Sequence, residues 1–145
     1  MNPVLGIDFG RARIGLAISD ELLLLAHPLE TVATRKQPIA RIGEIVRERK
    51  IGRIIVGIPR RMSGQTGPAA EEALGFVKQL RALVPCEVVT WDERLTTMAA
   101  NRVLHEAGKK TRQTRGYVDQ VAAQIILQEY LDWQQGSNAK AIADR

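Results

Sequence analysis

The chain has 145 residues with a single cysteine and two histidines, which favours one domain and excludes an intramolecular disulfide or a Cys/His metal cluster. Its 21 lysines and arginines exceed its 16 acidic residues, and this moderate positive charge suits either solubility or a polyanionic partner. The N-terminus lacks a basic segment followed by an apolar one, and the run LLLLA is far shorter than the roughly 20 residues of a membrane span, so we expect a cytoplasmic protein with no membrane partner.

The opening of the sequence predicts three strands. Apolar runs rich in Val, Ile and Leu predict strands at 3–9 and 14–19, joined by a turn at Gly10–Arg13. A third strand is predicted at 27–32. Strands joined by so short a turn pair in the antiparallel sense.

Helical and strand patterns alternate in the middle of the chain. Apolar residues at helical spacing predict helices at 38–50 and 69–83. Continuous apolar runs predict buried strands at 51–59 and 86–91, and the Gly-, Ser- and Arg-containing stretch at 60–68 predicts a loop. Strands linked through helices in this way are expected to be parallel to their partners.

The remainder of the chain predicts two helices and a tail. The helices are predicted at 95–107 and 116–134, and the polar segment 136–145 is expected to be disordered. Residues 1–135 would form a single domain. The order of elements predicts an α/β fold, in which helices flank a mixed sheet.

Carboxylates stand at three places next to apolar structure. Asp8 ends the first strand, Asp92 and Glu93 end the strand at 86–91, and Asp119 flanks the apolar face of the last helix. Functional groups in α/β sheets gather at the carboxyl ends of strands, and clustered acids need a cation to neutralise them. Oxygen donors without His or Cys suit Mg²⁺ or Mn²⁺, and two such ions could support attack of water on a phosphodiester.

Each acid also has a simpler interpretation. A lone strand-end residue such as Asp8 is more often part of a turn or cap, and Asp92 could cap the helix that follows it. A lone helical acid such as Asp119 is usually solvated. Spacing along the chain does not show that the three places meet, so both interpretations stay open at this point.

Basic residues accompany the acids along the chain. They suit a track of phosphate contacts, although a solvated charged surface is the usual role of such residues. The aromatic content of 4% argues against recognition by base stacking and favours recognition of phosphates and shape. The candidates for substrate binding are Arg11, Arg13, Arg60, Arg61, Arg94, Lys109, Lys110, Arg112 and Arg115.

Four motifs follow one another along the chain: GIDFGRARIGLAISD, VGIPRRMSGQTGPAAE, WDERLTT and VDQVAAQIILQEYL. In this order they resemble the YqgF/RuvX family of bacterial proteins, which have an RNase H-like fold. The resemblance spans roughly residues 4–133. It implies a five-stranded mixed sheet, antiparallel in its opening strands and parallel afterwards, flanked by helices, with acids converging at one end.

The resemblance also implies roles for the acids. It matches Asp8, Glu93 and Asp119 to the catalytic, metal-ligating positions, with Asp92 as the substitute for Glu93. Neighbouring strand residues point to opposite faces, so only one of the adjacent pair faces the metals. We choose Glu93, because resolvases with an RNase H-like fold place a Glu at this strand end. The expected cofactor is Mg²⁺ or Mn²⁺, bound as two ions.

The family has been named both a Holliday junction resolvase and a pre-16S rRNA nuclease that matures the 5′ end. We prefer an RNA substrate, with ribosomal precursor particles as partners. We also expect a monomer, because no long apolar stripe remains for a dimer face once the core helices are assigned. A non-catalytic RNA-binding ribosome-assembly factor is the alternative from another class. ATP binding of the actin-like type is disfavoured, because that fold encloses its nucleotide between two domains.

Overall fold

The computed structural model describes residues 2–59, 67–93 and 112–143, with side chains described at 2–59, 67–93 and 117–136. The elements are β1 (Val4–Asp8), β2 (Arg13–Ser19), β3 (Ala26–Ala33), α1 (Pro38–Arg49), β4 (Arg53–Ile58), α2 (Pro68–Leu83), β5 (Glu87–Asp92) and α3 (Arg112–Ala143). None of the helices in this described part is long and apolar enough to cross a bilayer.

The strands form one five-stranded sheet in the order β3-β2-β1-β4-β5. The pairs β1–β2 and β2–β3 are antiparallel, whereas β1–β4 and β4–β5 are parallel. The predicted mixed sheet, with antiparallel opening strands followed by parallel ones, is therefore confirmed. The predicted loop at 60–68 falls mostly outside the described residues, and the predicted helix at 95–107 lies entirely outside them.

The last helix differs from its predicted bounds at both ends. It runs from Arg112 to Ala143, so helical backbone covers most of the segment 136–145 that we expected to be a disordered tail. The Ala and Lys residues in this segment are helix formers, which is compatible with helical continuation past Gly136. The division into a domain at 1–135 and a tail stays a prediction.

The sheet separates two apolar clusters because successive strand residues face opposite sides. Leu5 and Ile7 of β1 face α1 and α2, together with Ile54 and Val56 of β4. Ile55 of β4 faces the other side, where α3 packs. Strand β4 is thus buried on both faces, as its uninterrupted apolar sequence predicted.

Helix α3 lies so close to the sheet that two strand residues under it have no room for a side chain. A Cβ placed on Gly15 of β2 would stand 1.9 Å from the carbonyl oxygen of Asp119. A Cβ on Gly6 of β1 would stand 2.7 Å from the Cβ of Leu127. Helix backbone therefore rests nearly on strand backbone, and this fixes the height of Asp119 above the sheet.

Three glutamines spaced four residues apart attach α3 to β3. Nε2 of Gln120 donates to Oγ1 of Thr31 at 3.1 Å, and Nε2 of Gln124 donates to the Ala26 carbonyl at 3.0 Å. Oε1 of Gln128 accepts from the Ala26 N–H at 2.8 Å. Residues at this spacing share one face of a helix, so the three bonds set the rotation of α3 and with it the direction of Asp119.

We predict that Gly15→Ala destabilises the protein by about 3 kcal/mol or more, because the new methyl group meets helix backbone that has no side-chain freedom to move away. Gly75→Ala in α2 is the matched control. A Cβ there meets nothing within 4 Å, so removing a helical glycine should stabilise by roughly 0.5–1 kcal/mol. Urea denaturation of both variants measures the difference, and equal midpoints would contradict the packing described here.

Candidate active site

Asp8 ends the strand at the centre of the sheet, and its side chain faces α3. In the register, Gly15 of β2 lies on one side of it and Gly57 of β4 on the other. Paired residues in a sheet direct their side chains to the same face, so the two glycines let other groups approach the carboxyl group, namely Asp119 over Gly15 and Ile126 with Glu93 over Gly57. A Cβ on Gly57 would stand 3.0 Å from Oε1 of Glu93, which shows that the Glu93 side chain uses the space over β4.

Glu93, and not Asp92, is the acid that meets Asp8. The Asp8 and Glu93 carboxyl groups are joined by a hydrogen bond. Asp92 pairs in register with Ile58, whose side chain belongs to the cluster under α1 and α2. Strand alternation therefore directs Asp92 to the face away from Asp8. This placement agrees with our choice of Glu93, while the catalytic role of either residue stays a prediction.

Burial and neighbouring negative charges raise the pKa values of both acids in this pair. Burial raises the pKa of Asp8 well above its ordinary range, and the negative charges of Glu93 and Asp119 raise it further. Burial also raises the pKa of Glu93, and the charge of Asp92 adds to that effect, although the hydrogen bond with Asp8 opposes it. A hydrogen bond between two carboxyl groups requires one proton, which the pair therefore shares. Without a cation nearby, the two groups do not both ionise near their ordinary pKa values.

The third acid, Asp119, already has a positive partner. Nε of Arg13 donates to Oδ2 of Asp119 at 2.6 Å, and the two side chains are 42% and 21% exposed. Arg13 begins β2, two residues before the Gly15 contact that holds the Asp119 backbone. The arginine thus neutralises Asp119 at the edge of the acid cluster, where solvent can still reach the pair.

The donor set of the cluster suits a hard divalent cation. Asp8, Glu93 and Asp119 offer only carboxylate oxygens, the ligand type of Mg²⁺ and Mn²⁺. Among the described side chains, no three Asp, Glu, His or Cys residues stand in a ready arrangement to hold a metal ion. In this geometry Asp8 and Glu93 share a proton and Asp119 is bonded to Arg13. Cation binding would therefore have to displace the proton and loosen the Arg13 bond.

The predicted basic track is described only at its beginning. Arg11 follows the central strand and forms an ion pair with Glu72 of α2, with Nε 3.0 Å from Oε2. Arg13 bonds Asp119 as above. The remaining candidates lie outside the residues whose side chains the structure describes, namely Arg60, Arg61, Arg94, Lys109, Lys110, Arg112 and Arg115.

Sequence reasoning missed two features that shape the site. The first is the pair of glycines that flank Asp8, Gly15 and Gly57. A glycine inside an otherwise apolar strand signals close approach of another element, and that signal was present in RIGLAIS and RIIVGI. The second is the Arg13–Asp119 bond, which joins residues 106 positions apart and has no local signal.

Taken together, a mixed sheet in this order and an acid at the end of its central strand define a fold of the RNase H-like class. Solved structures agree on the fold. The *T. thermophilus* RuvC in complex with a Holliday junction substrate matches with a TM-score of 0.59 and 20% identity, covering 94% of this chain and 97% of that one. A fowlpox virus resolvase with Holliday junction DNA matches with a TM-score of 0.55 and 10% identity, covering 91% and 98%.

The particular family follows from the sequence comparisons. The model of the RuvX family, described as Holliday junction resolvase, matches residues 2–133. A relative from *Acetivibrio thermocellus* named "Putative pre-16S rRNA nuclease" is 47% identical and covers 89% of this chain and 94% of its own length. A relative of the same name from *Halalkalibacterium halodurans* is 42% identical and covers 90% and 96%. The chain belongs to the RuvX family.

We predict that Asp8→Asn stabilises the protein in the presence of a chelator at neutral pH. The pKa of Asp8 is raised in the folded state, so the folded state binds a proton that the unfolded state has released. Folding stability therefore falls as pH rises from the ordinary range of an Asp through the raised pKa of Asp8. An asparagine amide still donates to Glu93 and has no proton to lose.

Urea denaturation with EDTA, repeated across pH, measures this effect. Glu48→Gln removes an exposed acid on α1 and serves as the control with an unchanged pH profile. A wild-type stability that does not fall with rising pH relative to Asp8→Asn would contradict the shared-proton arrangement.

Proposed function

We propose that this protein is a metal-dependent nuclease that matures the 5′ end of pre-16S rRNA by hydrolysing a phosphodiester bond. The observation that carries the proposal is the meeting of Asp8 and Glu93, with Asp119 close enough for its charge to act on Asp8. Three acids gathered at a strand end have a cost in stability, and this cost is understandable if a cation and a phosphate occupy the site during function.

In this proposal Asp8, Glu93 and Asp119 hold two Mg²⁺ or Mn²⁺ ions. When bound, such ions activate water and stabilise the charge on the leaving oxygen. The other contributions come from residues of the protein itself. Gly15 and Gly57 let Asp119 and Glu93 approach Asp8, and the Asp8–Glu93 pair gives up the proton that it shares. Arg13 releases Asp119 and is then free to contact a phosphate, while Arg11 holds a flanking phosphate.

The RNA substrate is supported by the names of the relatives at 42–47% identity. The alternative of a Holliday junction resolvase is favoured by the family description and by the RuvC–junction complex of similar fold. Junction resolution needs two paired cuts, and hence two active sites.

We propose a monomer in the cytoplasm, acting on ribosomal precursor particles. A dimer would have a surface available at Leu22, Leu24 and Leu25, which are exposed, and sedimentation in solution separates the two states.

A non-catalytic ribosome-assembly factor is the candidate from another class. Such a factor needs the basic residues but has no use for three converging acids, and the positive net charge of +5 is its only specific support. Neutralising one carboxylate distinguishes the two classes. A nuclease then loses its cleavage activity while it still binds RNA, whereas an assembly factor has no cleavage activity to lose.

We predict that Asp8→Asn lowers the cleavage rate by more than about a hundredfold, because losing even an outer partner of a metal ligand costs 10- to 100-fold, while the affinity for the uncut substrate changes little. Wild type, Asp8→Asn and Glu48→Gln would be compared on a labelled precursor rRNA fragment and on a four-way DNA junction, each with Mg²⁺, Mn²⁺ or EDTA. The substrate that is cut identifies the activity. Binding of RNA with no metal-dependent cutting of either substrate would support the assembly factor instead.

We predict that Arg11→Gln weakens substrate binding and lowers the slope of log affinity against log salt concentration by about one unit, because one phosphate contact is lost. Arg47→Gln is the matched control. Arg47 is exposed near the end of α1, which leads to the start of β4, at the end of the strands away from Asp8, so its loss should leave the slope unchanged. If the two variants have equal slopes of log affinity against log salt concentration, Arg11 does not contact a substrate phosphate. Filter binding between 50 and 200 mM salt is sufficient for this measurement.

A further inference from the structure

The sheet face opposite α3 carries an open cavity of about 830 Å³. It lies between the first turn of α1, one side of α2 and the end of β1. Phe9 and Phe76 line it, with ring centroids 4.9 Å apart. Phe9 is half-buried, whereas Phe76 is 6% exposed and belongs to the core. The polar groups around it include the side-chain amides of Gln37 and Gln79.

This cavity is immediately next to the acid cluster. Phe9 follows Asp8 in the chain, and alternation directs Asp8 towards α3 and Phe9 towards α1 and α2. The end of β1 therefore separates the two sites by a single residue. A nucleic acid strand that places one phosphate at the acids would bring a neighbouring nucleotide to the cavity.

The groups in the cavity match the parts of a nucleotide. One planar base can pack against the half-buried Phe9 ring, a single contact that is compatible with the low aromatic content of the chain. Side-chain amides offer both donors and acceptors to the edge of that base. Arg11 stands at the mouth, paired with Glu72, and these side chains are 71% and 44% exposed. Exposed ion pairs of this kind contribute little to stability, so Arg11 can exchange Glu72 for a phosphate.

We propose that this cavity binds one unpaired nucleobase of the substrate strand, next to the phosphate that lies at the acids, with Arg11 on the phosphate of that nucleotide. The proposal rests on the nuclease function above, since it takes the bound strand to be the substrate. It adds a determinant of recognition, because a base held here must be unstacked from its neighbours. Structured RNA with an unpaired nucleotide beside the cleavage point meets this requirement, whereas a continuous duplex does not.

Gly75 provides a way to fill the cavity without disturbing the core. It lines the cavity from α2, and a Cβ placed on it meets nothing within 4 Å. Gly75→Leu puts a branched side chain into the space that the base would use, and it replaces a helical glycine with a better helix former. Gly75→Ala has the same backbone effect but leaves most of the cavity open, so it is the matched control.

The first measurement uses AMP, GMP, CMP and UMP as probes with EDTA present, so that neither metal nor cleavage is needed. Amide NMR shifts should appear around Gln37 and Gln79 for at least one of the four nucleotides. Gly75→Ala should bind that nucleotide as wild type does. Gly75→Leu should bind it at least about fivefold more weakly, the lower end of the effect of losing one base stack.

The second measurement identifies the source of the base. Precursor rRNA fragments, each with one abasic nucleotide, would be scanned for binding to wild type and to Gly75→Leu, again with EDTA. We expect one abasic position to weaken binding to wild type by at least about fivefold. The same position should have no effect on Gly75→Leu, because that variant has already lost the contact.

The outcomes separate this proposal from the nuclease proposal. Nucleotide shifts and a single sensitive abasic position support the base pocket even if no substrate is cut, in which case only the nuclease function fails. Nucleotide binding without a sensitive abasic position overturns the assignment to the substrate strand and makes a free nucleotide the ligand. No shifts with any nucleotide, or equal affinities of Gly75→Leu and Gly75→Ala, overturn the pocket altogether.

Discussion

The contact of α3 with the sheet at Gly6 and Gly15 is the constraint on which the rest of the site depends. A helix normally stands away from a sheet by the length of the side chains between them, but here the Asp119 carbonyl lies where a Gly15 side chain would be. The apolar face of α3 then closes the gap through Ala123 and Leu127, both fully buried. Asp119 is thereby held at the level of the Asp8 carboxyl, and rigid elements hold a functional site more accurately than loops do.

This close packing brings three carboxyl groups near one another, and their mutual repulsion is reduced in two ways. Asp8 and Glu93 are joined by a hydrogen bond that requires one proton, and burial raises the pKa of both carboxyl groups. Asp119 instead takes the guanidinium of Arg13. Both arrangements are reversible, since a proton and an exposed arginine can each be exchanged for a cation. The clustering of acidic side chains lowers the folding stability, and such a loss is typical of positions selected for function.

In the proposed function, the two faces of the sheet have different roles in substrate recognition. On the α3 side, the end of β1 presents carboxylates, which act on a phosphodiester only with cations. On the α1 and α2 side, the same strand end presents Phe9 and an open cavity with amides and an arginine at its mouth. Strand alternation at Asp8 and Phe9 is enough to give the two faces different chemistry. In the proposed function, one face handles the phosphate and the other selects the base beside it.

The sequence alone determined the α/β class, the antiparallel and then parallel order of strands and seven of the described elements to within a few residues, because apolar periodicity is a local property that burial enforces. It also identified Asp8 and, through strand alternation and family resemblance, preferred Glu93 over Asp92. Only the tertiary structure decided that Asp8 and Glu93 are joined by a hydrogen bond, that Arg13 pairs with Asp119, and that Gly15 and Gly57 let Asp119 and Glu93 approach the central carboxyl. Those facts depend on contacts between residues far apart in the chain, and the helix–sheet distance that creates them is set by packing, which no local pattern encodes.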